Sequence, residues 1–245
     1  MPPPSEQTSA LPVIHAVTND EIVSRPEFLD RARSLMRALG SRGALHLRAP
    51  ELSVQNASAL VELALTLAEE QFRTECWLVI TDRVDIAMIA RARGIQLTGA
   101  SLLVADACRV ALAIHQRRAG SSTECDVAVG ASVHSLEEGI GARLDGANWG
   151  VVSHVLASAA QAPPAREPSL LPVRAREEAW TELVGQVTRA SGIPIVAIGG
   201  VLPHHVAALR RLGVHGVAAI RGVWDHENAA HAACEYLSAY DSAVG

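Results

Sequence analysis

Short β-branched apolar runs alternate with longer amphipathic segments along the whole of this chain, and no other feature restricts its fold as strongly. The apolar runs lie at 12–17, 44–48, 76–81, 94–97, 126–133, 148–153, 194–198 and 216–220. Each is too short for a buried helix and too uniformly apolar for a half-exposed strand, so each reads as a parallel strand covered on both faces. Between and after them, helical periodicity occupies 26–39, 54–72, 84–93, 103–118, 135–144, 176–191, 203–212 and 225–240. Eight β-then-α units predict an α/β protein of one domain, a closed (β/α)8 TIM barrel. An open doubly wound sheet is the alternative, although that arrangement ordinarily stops at about five or six strands. The expected organisation is a disordered tail over 1–11 and a single barrel domain over 12–245.

Composition narrows the function classes. The formal net charge is −5, and bases cluster only in pairs such as Arg117 with Arg118 and Arg210 with Arg211. A nucleic-acid partner needs a basic face with interleaved aromatics, and none is visible. The longest apolar stretches are strand-length, which argues against a membrane span. Residues 1–10 combine proline with polar residues and lack a basic segment leading into an apolar core. They read as a tail rather than a signal peptide, and a cytoplasmic location is expected. Cys76, Cys108, Cys125 and Cys234 are widely spaced, a pattern that suits neither a disulfide framework nor a zinc site.

In such a barrel the site is built where the strands end. The ends offer Thr18, Arg48, Thr81 with Asp82, Gln96, Ser132 with His134, Ser153 with His154, Gly199 with Gly200, and Arg221 with Gly222. Side chains alternate along a strand, so an inward Arg48 places His46 beneath it. An arginine there suits an anionic ligand; the alternative is a salt bridge to Asp82. His134 follows an apolar run and is followed at once by a helix start, with Ser135 as N-cap and Glu138 completing a capping box. A histidine at that position is suited to proton transfer near neutral pH, or serves only to hydrogen-bond a loop. The glycine turns after the seventh and eighth strands let backbone N–H groups approach a phosphate, with Arg221 adding charge. Tight turn geometry alone is the plainer explanation.

Taken together, segments 15–20 (HAVTND), 45–48 (LHLR), 83–87 (RVDIA), 95–97 (IQL), 132–138 (SVHSLEE), 154–156 (HVL) and 194–200 (PIVAIGG) resemble the thiamin phosphate synthase superfamily. Within it they are most similar to the TenI-type thiazole tautomerases. The likeness runs from His15 to about Trp224 and implies the same barrel, with phosphate bound after the last strands. The synthases carry Arg-Glu-Lys after the second strand, Gln-x-Asp after the fourth and Thr-x-Thr-Lys after the sixth, to hold magnesium pyrophosphate. Here the corresponding stretches are Arg48-Ala49-Pro50, residues 98–101 (TGAS) and residues 157–160 (ASAA). Only Arg48 and Asp82 survive from that charged set.

The resemblance therefore implies aromatisation of a thiazolylidene carboxylate phosphate to the thiazole carboxylate phosphate, without metal or other cofactor. His134 matches the catalytic position, and His154 is placed to orient the ring or assist proton transfer. Arg48 would meet the substrate carboxylate, with His46, Asp82, Gln96 and Ser132 lining the site. Gly199, Gly200, Arg221 and Gly222 would hold the phosphate. The expected partner is a small thiazole phosphate, and the expected assembly a homodimer. Two departures stand out: an Ala- and Pro-rich loop over 155–174, long enough for a lid, and Arg221, where tautomerases usually have a small residue. A non-catalytic thiazole-phosphate binder and a residual synthase are the competing readings.

Overall fold

The computed structural model describes residues 10–99, 101–119, 126–153 and 173–243. Eight parallel strands pair in chain order and the last closes on the first. They are β1 (Ile14–Val17), β2 (Gly43–Leu47), β3 (Trp77–Thr81), β4 (Gly94–Leu97), β5 (Ala128–Val133), β6 (Trp149–Val152), β7 (Ile195–Ile198) and β8 (Gly216–Ala219). The helices are α1 (Asp20–Val23), α2 (Phe28–Leu39), α3 (Pro50–Gln55), α4 (Ala57–Thr74), α5 (Val84–Ala90), α6 (Val104–Ala119), α7 (Leu136–Leu144), α8 (Val173–Ala190), α9 (Val206–Arg211), α10 (Arg221–Trp224) and α11 (Ala229–Ser242). The closed barrel is the architecture that the alternation of elements predicts, and the open sheet is excluded. Among the described residues no helix is long and apolar enough to cross a membrane.

Local chemistry explains where the elements depart from expectation. The helix expected over 54–72 is two helices. Pro50 opens α3, where its missing N–H costs nothing, and Asn56 then caps α4 by accepting from the Ala59 amide at 3.1 Å. The last helix starts at Ala229 rather than 225, because Asn228 is its cap and accepts from the His231 amide. The short α10, between β8 and α11, has no apolar periodicity of its own and was not anticipated.

Two apolar regions result. The larger lies between the strands and the helix ring. The smaller fills the barrel lumen with Val17, Ala44, Trp77, Val79, Trp149, Val151, Val196 and Ala218. Trp149 is fully buried, and a methyl at Gly130 would overlap its indole, so Gly130 is glycine because the ring fills the space a side chain would need. Leu11, inside the expected tail, packs against this lumen cluster, and its carbonyl accepts from His215 Nε2 at 3.0 Å.

Candidate active site

Every strand points the same way round the barrel, so the strand-end residues share one mouth. Arg48, Asp82, Ser132, His134, Gly199, Gly200, Arg221 and Gly222 lie there, at the ends of β2, β3, β5, β7 and β8. His46 and Gln96 sit deeper, within β2 and β4, and both are buried. His154 and residues 155–172 of the expected lid lie outside the described residues.

His134 is fixed by the start of α7. Ser135 adopts extended backbone and accepts from the Glu138 amide at 3.1 Å. The Glu138 carboxylate reaches one residue further back than a capping box requires. Its Oε2 accepts from the His134 backbone N–H at 2.7 Å and lies 3.1 Å from His134 Nδ1. The ring stands at the rim with 45% of its side chain exposed. Ser132 precedes it on the same strand parity and is half-buried.

Arg48 follows the last residue of β2, beyond the sheet ladder. Thr18, fully buried at the end of β1, supplies the missing partners: its hydroxyl accepts from the Arg48 amide at 2.9 Å and donates to the Arg48 carbonyl at 3.0 Å. The backbone that carries the guanidinium is thereby held at both of its polar groups. The salt bridge to Asp82 is not formed. Asp82 instead takes a left-handed backbone (φ 62°) and accepts from the Thr98 amide at 2.7 Å and from the Thr98 hydroxyl at 2.8 Å. Among the described residues the Arg48 guanidinium has no carboxylate partner. The neighbouring Thr81 hydroxyl, at the end of β3, is buried without a hydrogen-bond partner among the described residues.

The lumen beneath the mouth is polar on one side. His15 Nε2 lies 2.9 Å from the Pro12 carbonyl, and its Nδ1 is 2.8 Å from His46 Nε2. A carbonyl only accepts, so Nε2 carries the His15 proton, and His46 Nε2–H must then donate to His15 Nδ1. Burial favours the neutral rings: it pushes the His15 pKa down from 6.5 to about 4 and His46 well below the ordinary value. Gln96 accepts from the Trp149 indole at 2.8 Å and donates to the Leu97 carbonyl at 3.1 Å. Both its amide groups are thus engaged in the lumen wall.

The glycine turns are held from behind. Gly199 and Gly200 have φ of 116° and 70°, which no β-branched residue would accept without strain. Tyr236 donates its hydroxyl to the Val201 carbonyl at 2.8 Å, and a methyl at Gly222 would overlap that hydroxyl. Thus one tyrosine supports both turns. The far end of α10 is gripped by Arg25 and Arg31, which donate to the Trp224 carbonyl at 3.0 and 2.8 Å, while Phe28 packs on the Trp224 ring. The first amides of a helix have no intrahelical partner, which leaves those of Arg221 and Gly222 available to an outside acceptor. The Arg221 side chain is exposed.

Sequence reasoning picked out the histidine, the arginine and the glycines, but missed what orients them. The Ser135 cap expected from the sequence forms, but the capping box expected at Glu138 does not close, because its carboxylate meets the amide and ring of His134 instead. Thr18 was visible only as a strand-end residue, since its partnership with Arg48 spans 30 positions.

A closed parallel barrel with polar groups gathered at the carboxyl ends of its strands defines a (β/α)8 protein of the kind that carries its site at that end. The chain belongs to the family described as thiamine monophosphate synthase (TMP-TENI), whose sequence model matches residues 14–223. It is 25% identical over 200 residues to a thiamine-phosphate synthase of Pyrococcus furiosus, covering 80% of this chain and 83% of that protein. It is 26% identical over 244 residues to a thiamine-phosphate synthase of Roseiflexus castenholzii, covering 96% and 94%. Among solved structures, a thiamine phosphate pyrophosphorylase of Pyrococcus furiosus superposes with a TM-score of 0.69 at 22% identity, covering 95% of this chain and 98% of that one. A 3-hexulose-6-phosphate synthase superposes at 0.60 with 14% identity, covering 93% and 99%. These likenesses in structure establish the fold.

The resemblance implies that a synthase holds magnesium at the mouth, and among the described residues few carboxylates gather there to do so. Magnesium is held by oxygen ligands, usually one or two carboxylates among them. Asp82 gives both oxygens to Thr98, and Ser101 stands in the stretch where the synthases carry their second acid. No group of three His, Cys, Asp or Glu residues suited to a metal occurs among the described residues.

Proposed function

We propose that this chain is a thiazole tautomerase of thiamin biosynthesis, an isomerase that aromatises a thiazolylidene carboxylate phosphate. The observation that carries the reading is the pairing of a rim histidine tied to Glu138 with a half-buried arginine that has no carboxylate partner among the described residues. The reaction is a proton transfer within one substrate. His134 takes the proton from the ring carbon bearing the carboxylate, and the electron pair moves into the ring. The exocyclic double bond then collects the proton from the imidazolium, so nothing is gained or lost. Arg48 neutralises the substrate carboxylate and with it the charge that builds up between the two steps. The turns at Gly199, Gly200, Arg221 and Gly222 grip the phosphate, fixing the ring under the imidazole. His154 assists or orients, and the enzyme works as a homodimer, measurable by light scattering.

The test is incubation with the non-aromatic tautomer while the aromatic chromophore is followed. Wild-type protein turns it over; His134→Asn loses about 10²- to 10⁴-fold in rate yet still binds the product. Near-wild-type turnover by the variant refutes the role of His134. Tight binding without turnover by the wild type replaces the enzyme with a binder. Condensation of a pyrimidine pyrophosphate with the thiazole would make it a synthase.

A further inference from the structure

We propose that Glu138 is a positioning residue that sets the tautomer of His134, holding the proton on Nδ1 so that Nε2 is the nitrogen offered to the mouth. The inference rests on the tautomerase reading for its purpose, though not for its geometry. An ionised carboxylate only accepts hydrogen bonds, so the 3.1 Å contact between Glu138 Oε2 and His134 Nδ1 requires the proton to be on Nδ1. The neutral ring then carries its lone pair on Nε2. The same oxygen is anchored independently of the ring, because it accepts from the His134 backbone N–H at 2.7 Å. Backbone and ring of one residue are therefore locked to one carboxylate, with Ser135 fixing the Glu138 amide from the other direction.

An ordinary capping box explains less. There the acidic side chain returns to the N-cap amide, which here belongs to Ser135. The carboxylate has instead passed Ser135 and met the residue that carries a titratable ring. The pair is half-exposed, with 45% and 52% of the two side chains accessible. Exposed pairs of this kind add little to stability, so its value lies in which nitrogen bears the proton. When Nε2 takes a proton from substrate the ring becomes cationic, and its bond to Glu138 becomes charge-assisted on both sides. That strengthening occurs only after proton abstraction, which is when it lowers the barrier.

The experiment is nitrogen NMR of the His134 ring in labelled full-length protein at about pH 8, above the usual histidine range, with the resonance assigned by its loss in His134→Asn. Wild type is expected to show protonated Nδ1 and bare Nε2. In Glu138→Gln the amide oxygen still accepts from the His134 backbone N–H and Ser135 still caps α7, but the neutral amide can accept from or donate to the ring, so the two tautomers mix. kcat then falls about tenfold or more, with KM and the unfolding midpoint little changed, a smaller loss than for the buried carboxylate of a catalytic triad. Glu138→Asp, which keeps the charge on a shorter stem, recovers part of the Nδ1 tautomer. The proposal is overturned by a wild-type ring protonated on Nε2. It is equally overturned by a Glu138→Gln variant that changes stability while leaving tautomer and kcat untouched. A protein that shows the Nδ1 tautomer and its loss in Glu138→Gln, but never turns over the thiazole, refutes the tautomerase reading and leaves the positioning geometry standing.

Discussion

Acid should destabilise this barrel from within, at a pH where its carboxylates are still ionised. His15 and His46 are neutral and share one hydrogen bond in the lumen. A histidine whose folded pKa is depressed leaves stability intact above the unfolded value near 6.5 and loses it as pH falls towards the folded value. For His15, falling from 6.5 to about 4, the loss is about 2 kcal/mol at about pH 5 and approaches about 3 kcal/mol near pH 4. His46 adds to it in the same direction. Asp85 and Asp241, both lowered by their arginine partners Arg83 and Arg42, begin to lose stability only below the ordinary carboxylate range, so the window from pH 6.5 to about 5 belongs to the histidines. The assay is urea unfolding at about pH 8, 6 and 5, comparing wild type with a His15→Gln/His46→Gln double variant. The variant should be less stable at high pH but flatter with pH. Equal slopes for the two proteins would refute the reasoning, since the rings would then titrate as if exposed.

Thr18→Val removes two hydrogen bonds to the Arg48 backbone, worth about 1–3 kcal/mol together; KM for the carboxylate substrate should rise more than kcat falls, and Thr18→Ser should restore both. Arg221→Ala should weaken binding of the phosphorylated product with the rate of bound substrate little changed; unchanged affinity would return Arg221 to the role of a surface charge. Turnover should survive a chelator, because no group of three His, Cys, Asp or Glu residues suited to a metal occurs among the described residues; activity abolished by chelation and restored by magnesium would contradict that. Gly222→Ala should cost about 1–3 kcal/mol by overpacking Tyr236, read as a lower unfolding midpoint.

What the sequence made legible follows the range of the forces involved. The barrel was readable because burial on both faces imposes an apolar run at each of eight strands. The Ser135 cap was readable because it acts on an amide three positions away at the end of an apolar run, whereas Asn228, which caps the last helix in the same way, was passed over. The break at Asn56 was obscured because the strong Ala- and Leu-rich pattern begins just after it, while the short turn before it carries no periodicity of its own. Contacts closed by the barrel itself were beyond reach: Thr18 with Arg48, Tyr236 with Val201, and Arg31 with Trp224 join residues 30 to 193 positions apart. No periodicity records such pairs.

Asp82 shows why a shared residue is weak evidence for a shared reaction. It stands where the family's synthases keep an acid, so sequence alone leaves it free to pair with Arg48 or with a metal. The fold gives its two oxygens to one threonine, in a left-handed turn that ties the end of β3 to the end of β4. The carboxylate serves as a structural acceptor, and among the described residues the Arg48 guanidinium is left without a carboxylate partner. A proton-transfer site needs that asymmetry: positive charge to draw out an acidic carbon, one oriented base, and no metal to compete for the substrate's oxygens. A second acid restored at Ser101 would meet an Asp82 whose Oδ2 still accepts from the Thr98 hydroxyl. With Thr98→Gly added, which removes the hydroxyl bond to Oδ2 and keeps the amide bond to Oδ1, metal binding measured by calorimetry should appear only in the double variant.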